Sequence, residues 1–228
     1  MQVPSIVLLV LVLISSVIHL YFCWVENEKL RKITKAFPIV FLTAAIFIAV
    51  PKYPLIWLFP LLSLFGDIAL LFKKKSIFFF LIAFIFFLGA HICNFNELTI
   101  MLVRSDTTIP TLSYVIFGIS SVLIVVFIFP ITRKVAGKYG IIANIYFPVL
   151  IVVGATSLLV TAAYANSYQG LLVALGYVFF IFSDAFLIYS NFFKDVKRHD
   201  FYVMSTYIIA EVLISVGLTM LVTMGIAI

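Results

Sequence analysis

Long apolar runs separated by short polar or basic segments make up most of the chain. A helix needs about 20 predominantly apolar residues to cross a bilayer, and eight runs reach or approach that length. We predict helices at Pro4–Trp24, Phe37–Val50, Tyr53–Phe72, Ser76–Cys93, Thr111–Ile131, Ile141–Ala163, Tyr168–Tyr189 and Phe201–Ile226. The pattern therefore predicts an all-α, polytopic transmembrane bundle of about eight helices.

The first two runs need separate interpretation. Phe37–Val50 is short for a full crossing and is followed by Pro51 and Pro54, which disfavour helix continuation, so we expect a thin, tilted or partly re-entrant segment. Pro4–Trp24 has no basic residue before it and no small-x-small cleavage site after it. We interpret it as a retained helix and not as a signal peptide.

Composition supports this interpretation and excludes a water-soluble protein. Hydrophobic residues make up 65% of the chain and charged residues 11%, with a mean hydropathy of +1.27. Soluble domains do not reach these values. Eight spans leave no room for a sizeable soluble domain in 228 residues, so we expect residues 1–228 to form one membrane domain.

The basic residues fall in alternate loops. Of fifteen Lys and Arg residues, only Lys52 and Arg104 lie in the opposite set of loops. The positive-inside rule then predicts cytoplasmic basic loops and both termini on the far side, and we expect the bacterial inner (cytoplasmic) membrane. Topology and anionic lipid explain the net charge of +6, so no nucleic-acid partner is expected.

The cysteines and histidines show no metal-type spacing. Cys23 and Cys93 lie at predicted helix ends on opposite faces of the membrane, which argues against a disulfide. We expect no metal and no cofactor.

The few polar residues inside the predicted spans carry the functional information, because a charge at the bilayer centre costs about 2.5–3.5 kcal/mol even on insertion scales. The ionisable ones are Asp67, Asp184, Glu211 and His91, with His19 expected near the interface. The uncharged hydrogen-bonding groups are Asn144, Tyr146, Tyr207, Ser63 and Ser183.

The two aspartates occur in a repeated phrase, F-[GS]-D-x-x-L-[LI]-[FY], which runs over 65–72 and again over 182–189. The helices that carry it are four apart and run in the same direction, which suggests two parallel four-helix repeats. Asp67 lies six residues before Lys73, and Asp184 ten before Lys194. At about 1.5 Å per residue, the two carboxyls are expected within about 6 Å of each other in depth.

Two carboxyls held close together in a low dielectric do not both ionise easily, because desolvation and mutual repulsion oppose the second charge. Such a pair suits a general acid beside a carboxylate base or electrostatic stabiliser. The alternative is structural: each aspartate bonds a neighbouring helix and holds the bundle together. A matched pair of intramembrane acids favours function.

At this point the residues resemble a known family, the YhhN/TMEM86 family of membrane lysoplasmalogenases. The matching features extend over most of the chain and are Lys35 and Pro38, Gly66-Asp67-x-x-Leu70, Gly89 with His91, Tyr146, Gly176, Ser183-Asp184-x-x-Leu187, and Tyr207 with Ala210. One departure is Glu211, where the resemblance leads us to expect Gln. A third acid there would either act on the aspartate pair or stay protonated and replace the amide.

The resemblance implies hydrolysis of the vinyl ether bond of a lysoplasmalogen to a fatty aldehyde and a glycerophospho-base. It implies Asp67 and Asp184 as the catalytic pair, in roles left open, with His91, Glu211, Tyr207, Asn144, Tyr146, Ser183 and Lys35 binding substrate or supporting them. The lysophospholipid phosphate is expected near the basic loops, at Lys35, Lys73 or Arg133. The alternatives are a small proton-coupled transporter, a lipid-binding protein, or a structural bundle. The oligomeric state is left open.

Overall fold

The computed structural model describes residues 3–73, 75–105, 138–164, 168–192 and 196–223, with isolated positions between 111 and 126. Its helices over these ranges are α1 Val3–Trp24, α2 Glu28–Thr34, α3 Phe37–Ala49, α4 Pro54–Leu71, α5 Ile77–Arg104, α6 Lys138–Ala163, α7 Tyr168–Phe192 and α8 His199–Thr223. The predicted all-α fold is confirmed.

The membrane character of the bundle is also confirmed. Within the described ranges, seven helical segments are long and apolar enough to cross a bilayer, with Glu28–Ala49 counted as one segment. The remaining predicted span, Thr111–Ile131, lies largely outside the described residues. The predicted four-plus-four repeat includes this span, so it stays a prediction.

The second span is longer than the apolar run predicted. Asn27 caps α2 by accepting a hydrogen bond from the Leu30 backbone N–H at 3.1 Å, and Lys35 and Ala36 keep right-handed helical backbone between α2 and α3. The span therefore begins nine residues before Phe37 and is 22 residues long. The thin or re-entrant alternative was drawn from Phe37–Val50 alone, because a hydropathy-based prediction does not detect the charged first turns of this span.

The predicted end of the fourth span at Cys93 is also wrong. Helix α5 continues to Arg104 and is 28 residues long. Of the polar residues that interrupt the apolar run, Asn96 is exposed, whereas Asn94 and Glu97 are 0% and 5% exposed. Asn94 and Glu97 face the interior of the bundle, so part of the drop in hydropathy comes from a buried polar face and does not mark a helix end.

Helix α8 is the most buried of the membrane-spanning helices among the described residues. It packs most extensively against α7 and also contacts α1, α3 and α4. Small residues allow the close approach, as is common between membrane helices. A Cβ atom at Gly176 of α7 would lie 2.6 Å from Ile214 Cγ1 and 3.0 Å from the Ile214 backbone N of α8.

Gly176→Ala is therefore expected to destabilise the protein by about 1–3 kcal/mol, because the added methyl forces α7 and α8 apart. Thermal unfolding of the detergent-solubilised protein measures the change in Tm. Gly89→Ala is the matched control, since its methyl would meet Leu62 Cδ1 at an ordinary 3.5 Å. Equal Tm values for the two variants would contradict the close packing of α7 on α8.

Candidate active site

A cavity of about 100 Å³ lies between α2, α4, α7 and α8, at the end of the bundle that carries the basic loops. Asp67 and Asp184 both line it, as do Lys35, Ser183 and Tyr207. We call it the carboxyl cavity. The structure thus brings into one space the two aspartates that the repeated phrase singled out, together with three of the supporting residues.

Asp67 is paired with a cation. Lys35 Nζ lies 2.9 Å from Asp67 Oδ1, and the two side chains are 14% and 4% exposed. Lys35 reaches the carboxyl because it ends α2 and lies close to the last turns of α4. An adjacent ammonium group offsets the cost of burying a carboxylate.

Asp184 has a hydroxyl group as its partner. Tyr146 of α6 donates its hydroxyl proton to Asp184 Oδ2 at 2.6 Å, and His91 Nε2 of α5 lies 3.2 Å from the same hydroxyl oxygen. Because the hydroxyl proton points at Asp184, the oxygen accepts the Nε2–H of His91, which fixes the tautomer of the ring. The chain from Asp184 through Tyr146 to His91 orients the carboxyl without a cation.

A second polar cluster lies beneath Asp67, where α4 faces α8. Tyr207 interacts with Asp67 and Glu211, and Glu211 also interacts with Ser63. Ser63 Oγ, Asp67 Oδ2, Tyr207 OH and both Glu211 carboxyl oxygens form no well-aligned hydrogen bond with any residue that the structure describes. Asp67 and Tyr207 connect this cluster to the carboxyl cavity, which Ser63 and Glu211 do not line.

Two further predicted residues have clear positions. Ser183 Oγ donates to the Val203 carbonyl at 3.0 Å and ties α7 to α8 beside Asp184. Asn144 is exposed on α6, two residues before buried Tyr146, and the structure does not bring it to the cavity. Residues two apart on a helix point to different sides.

A narrow apolar crevice borders Asp184 next to the carboxyl cavity. It is lined by Leu70, Phe84, Phe87, Tyr146, Leu187 and Ile188 around the carboxyl. Asp184 thus lies between a polar cavity and a hydrocarbon-like crevice. Such a boundary suits a molecule with a polar head and an apolar tail.

Comparison with known proteins identifies the family. A profile of the YhhN family matches residues 30–218, which is most of the chain. The chain belongs to the YhhN family. No curated protein and no solved structure matches it. In this YhhN-family protein the matched range includes both aspartates and the side chains that surround them.

His19 is a cavity residue of the YhhN-family protein whose position was predicted wrongly from the sequence. His19 was expected at the interface, but it is fully buried, lines the carboxyl cavity and places Nδ1 2.9 Å from Thr34 Oγ1. The signal for its burial was present in the sequence of α1. Ser5, Val12, Ser16, His19 and Cys23 recur at helical spacing and form the buried stripe of an otherwise lipid-facing helix.

Tyr146→Phe tests the orienting chain in the YhhN-family protein. Removing the hydroxyl leaves Asp184 Oδ2 and His91 Nε2 without their shared partner, so we expect kcat for the proposed reaction to fall about tenfold through misorientation of the carboxyl. Steady-state aldehyde release measures it. Tyr164→Phe is the control, because Tyr164 bonds the Met101 carbonyl and does not line the cavity. An unchanged kcat for Tyr146→Phe would exclude the orienting role.

Proposed function

We propose that this YhhN-family protein is a membrane lysoplasmalogenase, which hydrolyses the vinyl ether bond of a single-chain lipid to a fatty aldehyde and a glycerophospho-base. The observation that carries the proposal is the pair of carboxyls in one cavity with unlike partners. Asp67 has the Lys35 ammonium, whereas Asp184 has the Tyr146 hydroxyl. When two carboxyls have different environments, one can stay ionised while the other keeps its proton and acts as an acid.

The partners assign the roles. No cation lies on Asp184 among the described residues, and an unpaired charge is costly at this depth, so Asp184 is the proton donor. It can accept the Tyr146 hydrogen bond on one oxygen and carry its proton on the other. Asp67, held ionised by Lys35, is the carboxylate that stabilises positive charge and activates water.

The proton balance closes over one turnover. Asp184 transfers its proton to the alkenyl carbon, and the adjacent carbon becomes an oxocarbenium ion opposite the Asp67 carboxylate, as in carboxylate-pair glycosidases. Water adds to that carbon to form a hemiacetal, and its proton passes to Asp67. As the hemiacetal collapses, Asp67 protonates the departing glycerol oxygen and Asp184 takes the hemiacetal hydroxyl proton. Both carboxyls then return to their starting states.

The surroundings of Asp184 fit such a substrate. The first carbons of the alkenyl tail lie along the apolar crevice beside Asp184, which has to widen to admit them because its volume is about 10 Å³. The glycerol and phosphate lie towards the basic end of the bundle. Lys35 is engaged with Asp67, so it positions the carboxylate and does not serve as the phosphate ligand. A cavity lined by carboxyls and hydroxyls on one side and by hydrocarbon on the other matches the bond between a polar head and a tail.

The test is product formation by the purified protein in detergent. Incubation with a lysoplasmalogen should release one fatty aldehyde per glycerophospho-base, measured by mass spectrometry, while the saturated 1-alkyl analogue stays intact because it cannot be protonated to an oxocarbenium ion. Asp67→Asn should abolish the release. Intact lysoplasmalogen in detergent, together with its movement across proteoliposomes, would refute hydrolysis and favour the transporter.

A further inference from the structure

A second cavity, of about 490 Å³, lies at the same end of the bundle. The last turn of α1, the α2 helix and the residues that lead into α8 enclose it. Its charged residues are Arg31, Lys197, Arg198, Glu26 and Asp200, with His199 beside them. We call it the basic cavity, since its cations outnumber its carboxylates. Its size suits a small polar group.

The basic cavity and the carboxyl cavity share a wall. Arg31 and Asp200 line both spaces, and their side chains form an ion pair. His199 Nε2 also contacts Asp200, at 3.3 Å from Oδ1. A ligand with one end beside the aspartates and the other in the basic cavity would therefore pass along Arg31, which is placed to contact it from either side.

Arg198 is held in place by its neighbours and keeps one unused donor. Arg198 stacks on Trp24, with its guanidinium carbon 3.8 Å from the ring centroid, and its backbone N–H donates to Glu26 Oε1 at 3.0 Å. Its side-chain Nε–H is buried and has no partner among the described residues. Arg198 also has left-handed backbone, with φ of 58°, a conformation that costs free energy in a non-glycine residue. Strain and an unused donor at one arginine are typical of a binding position.

We propose that the basic cavity binds the phosphate of the single-chain lipid whose ether bond lies between Asp67 and Asp184. The proposal rests on the function proposed above and names its headgroup site. Arginine presents several N–H donors in a planar fork that matches phosphate oxygens, and Arg31 and Arg198 both border the cavity. Only a glycerol backbone separates the phosphate from the vinyl ether, which fits two cavities divided by one ion pair.

Trp24 provides a reporter, because the chain has only two tryptophans. In a Trp57→Phe background, titration with a saturated 1-alkyl lysophospholipid should give a saturable change in Trp24 fluorescence as the phosphate engages Arg198. A 1-alkylglycerol of the same chain length, which lacks phosphate, should give none. Equal responses to the two lipids would overturn the proposal.

Variants locate the site through equilibrium binding of the radiolabelled saturated lipid. Lys197→Gln and Arg198→Gln should each weaken Kd about tenfold, the loss expected for one charged hydrogen bond. Lys52→Gln is the control, since Lys52 is an exposed cation at the opposite end of the bundle. Unchanged Kd values in both cavity variants would overturn the proposal.

A further arm distinguishes the sources of phosphate. Inorganic phosphate should displace the lipid only weakly, because it lacks the tail that enters the crevice; displacement at equal affinity would show a site for free phosphate and overturn the lipid assignment. The ligand is a saturated ether, so binding does not depend on turnover. If the lipid binds through its headgroup but no aldehyde is released from a lysoplasmalogen, only the proposed reaction is refuted. If aldehyde is released but Lys197→Gln and Arg198→Gln leave Kd unchanged, only this headgroup site is refuted.

Discussion

Asp184→Asn is expected to reduce aldehyde release from a lysoplasmalogen by at least about 100-fold, the lower range for loss of a general acid. The amide has almost the same shape and can still accept the Tyr146 hydroxyl, so the helix packing around it should persist. It cannot, however, deliver a proton to the alkenyl carbon. Single-turnover measurements with enzyme in excess isolate this step from product release.

The matched control for Asp184→Asn is Glu97→Gln. Glu97 is another acid in a membrane helix and is 5% exposed, but it does not line the carboxyl cavity. Its amide variant should keep aldehyde release within about twofold of the unmodified protein, as expected for a substitution away from the reacting atoms. Retention of more than half of the activity by Asp184→Asn, with Tm unchanged, would remove Asp184 from the role of acid.

The sequence was sufficient to find the aspartates because a carboxyl inside an apolar segment is costly and stands out against its neighbours. It was sufficient for most helix positions because long apolar runs are typical of membrane-spanning helices. It failed where polar residues belong to a membrane helix without facing water. The charged turns of α2 concealed the start of the second span, and Asn94 and Glu97 concealed the continuation of α5.

The partners of the aspartates were harder to predict than the aspartates themselves. Which side chain meets Asp67 or Asp184 depends on the rotation of each helix about its axis, and hydropathy fixes that rotation only loosely. Lys35 illustrates the difficulty. The positive-inside rule already explained its charge, so nothing in the sequence pointed to its contact with Asp67. His19 was assigned to the interface by its distance from the helix end, whereas its rotation buries it against Thr34.

Lys35→Met is the second substitution with a large expected effect. Met keeps the length and apolar stem of Lys but leaves the Asp67 carboxylate buried without its cation, so we expect a loss of about 3–5 kcal/mol in unfolding free energy. Aldehyde release should fall at the same time, because the Asp67 carboxyl would lose the Lys35 ammonium that holds it in position. Unfolding by SDS titration in mixed micelles measures the first effect.

The double variant separates the charge from the packing. Adding Asp67→Asn to Lys35→Met removes the stranded carboxylate, so most of the lost stability should return while activity stays absent. Lys32→Met provides the stability control: it breaks the exposed Lys32–Glu28 pair, whose side chains are 47% and 56% exposed, and should cost less than about 1 kcal/mol. If the double variant were as unstable as Lys35→Met alone, the lost stability would not come from a stranded charge on Asp67. The ionised state of Asp67, and with it the division of roles between the two aspartates, would then lose its support.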